Sequence, residues 1–560
     1  MNNDQIADNF ALLAKLMDIH GDNSFKSRSY ANASFQINQL NVPLSSLSPS
    51  AIDGLKGIGD AIGKKIQEQL QTGTLSLLQE YLSKTPPGII EMLSIKGLGP
   101  KKIATIWKEL EIESLGELLY ACNENRLTLY KGFGEKTQQN IRDAIEFYLK
   151  HQDQFLYAEI EPWANLFLQQ LIAAFPKDLI LSAGALRMQM EIIPYLTYVT
   201  TIESSQLQQQ LADWEFQILS IGSEEIKAKS REGIQVHLHL STSGQIYRRQ
   251  FELSAHPAFL EAWNTQIGWP EPDSYEQEVS IFEQAGIQPI PAPQRENPAI
   301  ISRAKKAPLP SPIQTTDIRG IIHCHSQWSD GSYTLEEMAL AAQEKGFEYL
   351  VISDHSKSAF YANGLSSDRI LAQHREIERL NKSLAPFTIF KSIESDILSD
   401  GSLDYPPEIL DQFDLIIASI HSNLKMPEEK SMHRLLTAVA NPYTSILGHP
   451  TGRLLLSRQG YPVDHEKLLA ACAKNEVVIE LNAHPRRLDI DWRFIERAIE
   501  WGVLVSIDPD AHTIEGMQDI KYGVLTAQKA GLTADRNLSS YTLSQMQAFV
   551  SAQKNKRKKE

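Results

Sequence analysis

The sequence predicts a multidomain chain with an α-helical front region, an α+β middle region and a C-terminal α/β barrel of seven strand–helix units. Three observations carry this. Gly-containing turns punctuate helical periodicity up to residue 150, β-rich runs begin after Phe155, and from Asp317 onward apolar strand-like runs alternate with helical patterns. At 560 residues the chain exceeds what one hydrophobic core can organise.

In the front region Ile6, Phe10, Leu13 and Leu16 recur at helical spacing. Three segments then share one design: LKGIGDAIGKKI (Leu55–Ile66), IKGLGPKKI (Ile95–Ile103) and YKGFGEKTQQNI (Tyr130–Ile141). Each sets a GxG turn before a helix, and exposed N–H groups at a helix start can receive a phosphate. One such turn is weak evidence. Three, each with Lys nearby, form the helix-hairpin-helix pattern, a sequence-independent clamp on DNA backbone. The expected contacts are Gly57, Gly59, Lys64 and Lys65, then Gly97, Gly99, Lys101 and Lys102, then Gly132, Gly134 and Lys136.

The overall charge runs against DNA binding. With 54 basic and 69 acidic residues the net charge is −15, so that reading rests on local structure. The basic run at Asn555–Glu560 reads as a solvated C-terminal tail. No apolar run is long enough for a membrane span, and the N-terminus lacks the features of a signal peptide. Cys122, Cys324 and Cys472 are few and odd in number, which predicts a reducing, cytoplasmic setting.

The middle region predicts a helix over Pro162–Phe175 and strands at Tyr195–Val199 and Ile234–Leu240. The prolines at 289, 291, 293, 298, 308, 310 and 312 predict an extended, semi-stiff linker and the main domain boundary. The resulting divisions are 1–82, 83–150, 151–286, a linker at 287–316, a barrel at 317–553 and a tail at 554–560.

Barrel strands are predicted at Gly320–Cys324, Tyr349–Ser353, Thr388–Ile393, Leu415–Ile420, Ser445–Gly448, Val477–Leu481 and Leu504–Ile507. Most of them run into residues able to bind metal. The first gives His323 and His325, with Asp330 in the following loop, and the second gives His355. The third to fifth give Glu394, His421 and His449, and the seventh gives Asp510 and His512. Strand alternation would point His323 and His325 to one face. A lone His after a strand is ordinarily a hydrogen-bonded loop residue, but nine His, Asp and Glu at one barrel mouth are not independent accidents. One tetrahedral ion takes three or four ligands, so this set predicts two or three divalent ions, Zn²⁺ or Mn²⁺. Such a cluster suits in-line phosphoryl displacement, with Glu394, His355 and Asp510 at its catalytic heart. Lys357, Arg453 and Arg487 are the candidate phosphate-binding cations.

The segments HCHSQWSDG, ISDHSK, SIESDILSDGSLDYP, IASIHS, ILGHPTGRLLL, ELNAHPRRLDI and DPDAH closely resemble the PHP domain (polymerase and histidinol phosphatase) of bacterial family X DNA polymerases over residues 318–530. That resemblance implies a PHP (βα)7 barrel with a trinuclear metal centre and 3′–5′ exonuclease or related 3′-end-processing activity. The nine ligand candidates match the family's nine ligand positions. The departure is His484, where the family more often has Asn. In the front region FKSRSYANAS resembles the family's lyase-type domain, with Lys65 where some members carry a Schiff-base lysine.

The middle region resembles the family's nucleotidyltransferase palm in degenerate form. The family's GS-x-RR turn becomes AGALRM, with Ala185 for the serine and Met188 for the second arginine. The D-x-D positions hold Tyr195 and Thr197, and His237 takes the third Asp position. Tyr and Thr cannot replace bridging carboxylates. The expectation is therefore a DNA-binding phosphoesterase acting on gapped, nicked or 3′-ended DNA in repair, with polymerase activity lost. Its rivals are a working polymerase, a small-molecule phosphatase of histidinol-phosphatase type and a non-enzymatic DNA adaptor.

Overall fold

The structure is a computed structural model describing all residues except 2, 39, 41, 56–57, 150–153, 270–273 and 559–560. The chain forms two compact units, residues 1–123 with 127–148, and 124–126 with 149–560. The first is helical. Ile6, Phe10, Leu13 and Leu16 are wholly buried on the helix Asn3–His20, and Phe10 stacks on Tyr30. The three GxG turns lead into the helices Asp60–Thr72, Pro100–Lys108 and Glu135–Leu149. Gly97 and Gly132 adopt φ of +94° and +98°, a conformation that disfavours any side chain.

In the second unit, a two-stranded pair joins β1 (Phe155–Leu156) to β3 (Ile192–Ile193). A five-stranded mixed sheet has the order β2 (Ile180–Ala183), β4 (Leu196–Thr200), β7 (Gln235–Leu240), β6 (Glu225–Lys229) and β5 (Gln217–Ile221). Its inner face buries Leu196, Tyr198, Val236 and Leu238 against Phe167 and Leu171 of the helix Tyr157–Ala174. A helical segment follows, built around Phe251, Phe259, Trp263 and Phe282.

Residues 287–306 are folded, not an extended linker, whereas 307–314 carry no helix or strand and are mostly exposed up to Ile313. Ile290 and Ile301 are buried in that helical core, and Ala299–Lys306 is a helix. Arg295, 1% exposed, lies over the Phe251 ring and pairs with Glu278 at 2.8 Å. Ile313 enters the barrel core, and its N–H donates to Leu532 O at 2.8 Å. Pro291 and Pro298 precede the short turn Ala292–Gln294 and the helix Ala299–Lys306, and Pro308 follows that helix. The middle segment is also tied to the barrel by Arg486–Glu159 at 2.8 Å and by the buried Lys529, whose Nζ donates to Met188 O at 2.7 Å.

The barrel strands are all parallel and fall into two sheets. The first has the order β10 (Thr388–Lys391), β9 (Tyr349–Ile352), β8 (Gly320–Cys324). The second runs β11 (Glu394–Asp396), β12 (Ile417–Ser419), β13 (Ile446–Leu447), β14 (Val478–Asn482), β15 (Val505–Asp508). The predicted third strand is thus two. The chain leaves the first sheet after Lys391, and Ile393 O then accepts from Ile417 N at 3.0 Å in the second. Single bridges join the sheets, Cys324 to Ala511 and His355 to Glu394. Below the mouth the interior is apolar, with Ile322, Val351, Ile417 and Ile446 packed in one cluster with Met546 and Val550 of the C-terminal helix Leu543–Arg557. That helix also corrects the expected solvated tail: Lys554 pairs with Asp414 at 2.6 Å and Arg557 donates to Phe413 O at 2.8 Å. Lys559 and Glu560 lie outside the described residues. No helix among the described residues is long and apolar enough to cross a membrane.

Candidate metal centre

Strand ends deliver the ligand candidates because a parallel barrel points every C-terminal strand end at one mouth. All nine predicted residues fall into four groups whose ligand atoms lie within 4.8 Å of one another. These are His325, Asp330, His355 and His512; His323, Glu394 and His449; His323, His325 and Asp510; and His355, Glu394 and His421.

Glu394 is the hub. Its Oε1 lies 3.0 Å from His421 Nε2, 3.0 Å from His449 Nε2 and 3.3 Å from His323 Nε2, while Oε2 lies 2.9 Å from His355 Nδ1. Asp510 Oδ1 sits 3.0 Å from His325 Nε2 and 3.4 Å from His323 Nε2. Asp330 reaches His355 and His512 at 3.5 Å each. His323 does not follow simple strand alternation. Its φ is +59° and the β8–β9 register shifts there, so a bulge aims the ring.

The electrostatics follow from crowding in a dry site. Burial alone would lower His323 and His355, yet the facing carboxylates outweigh it and hold both well above the ordinary imidazole range. His421 and His512 are likewise raised to about 9, against burial, by Glu394 and Asp396 and by Asp330. His325 goes the other way, to about 3, through burial and the neighbouring His512 and His355. Glu394, Asp330 and Asp510 are held well below the usual carboxylate range, the imidazoles outweighing burial. Among the described residues, buried His323 Nε2, His325 Nδ1, Asp330 Oδ2 and His512 Nε2 make no hydrogen bond. Buried, unpaired N and O atoms converging at these distances fit divalent cations.

Sequence reasoning missed the groups that hold these ligands. Glu480 accepts from His323 Nδ1, and its Oε2 takes the His449 backbone N–H at 2.5 Å. Asp396 meets His421 Nδ1 at 2.5 Å, and Asn482 donates to Asp510 Oδ2 at 3.1 Å. Asp354 accepts from Ser326 N and Oγ, both at 2.8 Å, and from Ser329 Oγ at 2.5 Å, fixing the loop that carries Asp330. The signal was present: Glu480 and Asn482 alternate on β14 as His323 and His325 do in the sequence.

Among the phosphate candidates, Arg453 is spent elsewhere. It pairs with Asp491 and donates to the backbone oxygens of Arg487 and Leu488, so it is a structural clamp. Arg487 is buried with Nε 3.6 Å from Asp510 Oδ2, facing the centre. Lys357 is exposed, its Nζ 5.3 Å from the Tyr405 ring centroid. His484 is half-buried beside Asn482, and burial pushes its imidazole down to about 3.

In the first unit Lys64, Lys101 and Lys136 are exposed, Lys65 and Lys102 half-buried, and Lys102 Nζ donates to Gly97 O at 3.2 Å. Gly59, Gly97, Gly99, Gly132 and Gly134 each face open space where a side chain would stand. Gly57 lies outside the described residues. On the mixed sheet Thr197 and His237 are register partners on parallel strands, and Tyr195 stacks on His237 with centroids 4.0 Å apart. His237 also lies 3.3 Å from Glu225. Among the described residues no metal-capable group of three lies on this sheet.

Comparison with known proteins adds three family matches: a helix-hairpin-helix domain over residues 1–75, a SAM-like helix-hairpin-helix tandem over 89–146 and a PHP domain over 322–484. The chain is 32% identical over 566 aligned positions to the DNA polymerase/3′-5′ exonuclease PolX of Bacillus subtilis (strain 168), covering 96% of this chain and 97% of that protein. A probable phosphatase of Thermoanaerobacter sp. (strain X514) is 28% identical over 39% of this chain and 89% of its own length. One of Vibrio parahaemolyticus is 27% identical over 39% of this chain and 88% of its own.

Proposed function

We propose that this chain, which belongs to the PolX family of DNA polymerase/3′-5′ exonucleases, is a metal-dependent phosphoesterase that trims DNA 3′ ends and has lost polymerase activity. The observation that carries the proposal is the Glu394 hub, within 3.3 Å of four imidazoles in a buried site with unpaired ligand atoms. The nine clustered residues would hold two or three divalent ions, Zn²⁺ or Mn²⁺. Such ions supply Lewis acidity and a strongly acidified water when bound. The protein's own part is orientation. Glu480, Asp396 and Asn482 fix the ligand side chains, Arg487 faces the phosphate position beside Asp510, and Lys357 offers an exposed cation at the rim. The helix-hairpin-helix unit supplies the DNA affinity, Gly59, Gly99 and Gly134 opening each helix start to a phosphate.

Loss of polymerase activity is supported by Tyr195, stacked on His237, and Thr197, the register partner of His237 on the neighbouring strand, a set with no carboxylate. The test is a 5′-labelled oligonucleotide incubated with purified protein, with and without Mn²⁺ or Zn²⁺ and after chelation. Metal-dependent 3′ shortening that Glu394→Ala abolishes supports the reading. Hydrolysis of small phosphomonoesters without DNA shortening would favour the phosphatase reading. Templated extension of a primed gap by the Glu394→Ala protein would refute polymerase loss.

A further inference from the structure

The loop after β9 presents one side chain that the chemistry above does not use. Phe360 is 75% exposed, leaving a large aromatic face open to solvent. The loop is not loose. Its entry is fixed by Ser356 N donating to Glu394 O at 3.1 Å, and its exit by Leu365 N donating to His355 O at 2.9 Å. Ser358 Oγ donates to Asp396 Oδ2 at 2.7 Å and Ser358 N to Asp404 at 2.6 Å. Tyr405 Oη donates to Leu365 O at 2.5 Å and accepts from Lys357 N at 3.0 Å. Gly364 packs so tightly that a Cβ would lie 1.9 Å from Ser356 O.

The tip of this pinned loop is a short 3₁₀ turn, Phe360–Ala362, closed by Asn363 in the left-handed region at φ +55°. Its two rings part company there. Tyr361 turns inward, its ring edge-on to His355 at 6.4 Å, and Phe360 stands next to it at 5.9 Å, facing solvent. Two ring contacts in series therefore lead from a candidate metal ligand to an exposed aromatic face on a loop pinned at both ends, with the exposed Lys357 three residues earlier in the sequence.

We infer that Phe360 is a stacking platform for a nucleobase at or next to the 3′ end being cleaved. This rests on the 3′-end reading above and narrows it: the ligand class is a base-bearing single-stranded end, not a free phosphomonoester. Every base offers a π face, so such a platform is sequence-tolerant, as a trimming enzyme requires. The exposed Lys357 on the same loop carries a charge suited to a phosphate.

The experiment uses the full, metal-loaded protein and two single-stranded oligonucleotides that differ only in the presence or absence of the 3′-terminal and penultimate bases. Wild-type protein binds the base-bearing end more tightly. Phe360→Ala raises KM for that end by roughly 5- to 150-fold, the size of one aromatic–base stack, and brings it level with KM for the base-free end. Phe360→Trp restores the difference, which a role confined to loop packing does not predict. Equal KM values for wild type and Phe360→Ala on the base-bearing end overturn the platform. Wild-type hydrolysis of bis-nitrophenyl phosphate with no action on either oligonucleotide overturns the 3′-end reading itself.

Discussion

Glu480→Gln isolates the groups that hold the metal ligands from the ligands themselves. Glu480 is wholly buried and serves two of them, accepting from the His323 ring and from the His449 backbone N–H. Gln preserves the shape but offers only one acceptor oxygen, so its NH₂ must face one of the two donors. The same change also removes the negative charge that helps set the His323 ring. Losing one such outer partner typically weakens metal binding 10- to 100-fold. With two ligands affected, the expected loss is in the upper part of that range, roughly 30- to 100-fold or about 2 to 2.7 kcal/mol. The assay is competition for Zn²⁺ against a chromophoric chelator, with far-UV circular dichroism and thermal melting of the metal-free proteins as the fold control. Glu480 also neighbours Asp508, whose carboxyl is pushed well up by burial and then by Glu480; the substitution should let that carboxyl fall. An affinity within twofold of wild type, with the fold intact, would show that Glu480 does not set the geometry of His323.

Four further outcomes are expected. Raised imidazoles stabilise the metal-free fold below their ordinary pKa of 6.5 and lose that contribution as pH climbs through about 9, so the melting temperature of metal-free protein should fall across that window. Zn²⁺ affinity should rise over the same window as protons stop competing, and a flat profile in both measurements would refute this. Replacing Lys64, Lys101 and Lys136 with Ala should reduce the slope of log K against log[salt] for DNA by roughly 0.7–0.9 per lysine that meets a phosphate, read by fluorescence anisotropy. A chain beginning at Asp317 should melt below the full chain, since losing buried Ile313 alone removes roughly 1.5–3 kcal/mol and the Lys529 contact to Met188 goes with it; equal melting temperatures would mean the middle segment lends the barrel nothing.

The barrel's rhythm and its ligand candidates are legible because most strands are short apolar runs leading into a titratable residue, a local pattern. The split at Lys391–Glu394 is not, since an unbroken apolar run looks the same whether it stays in one sheet or passes to the next. Arg453 looked like a phosphate ligand because its motif lies beside His449, but its direction depends on Asp491, distant in sequence. The prolines between 289 and 312 misled for a related reason. Composition reports stiffness, whereas Ile290, Ile301 and Ile313 decide that the segment has somewhere to pack. Glu480 and Asn482 alternate on their strand, but that pattern does not say which ring Glu480 holds, because His323 is distant in sequence.

The two sheets of the barrel touch through single bridges at the rim, Cys324 to Ala511 and His355 to Glu394. Every one of the four ligand groups draws side chains from both sides of that seam. His323, His325, Asp330 and His355 lie on or after strands of the first sheet, and Glu394, His421, His449, Asp510 and His512 on or after strands of the second. An ion held by any group would therefore act as a rivet across the joint as well as a reagent. Catalytic charge and mechanical closure would then be one variable: stripping the metal should loosen the rim first, with amide exchange accelerating at residues 323–325 and 510–512 while the apolar floor under Met546 and Val550 stays shut.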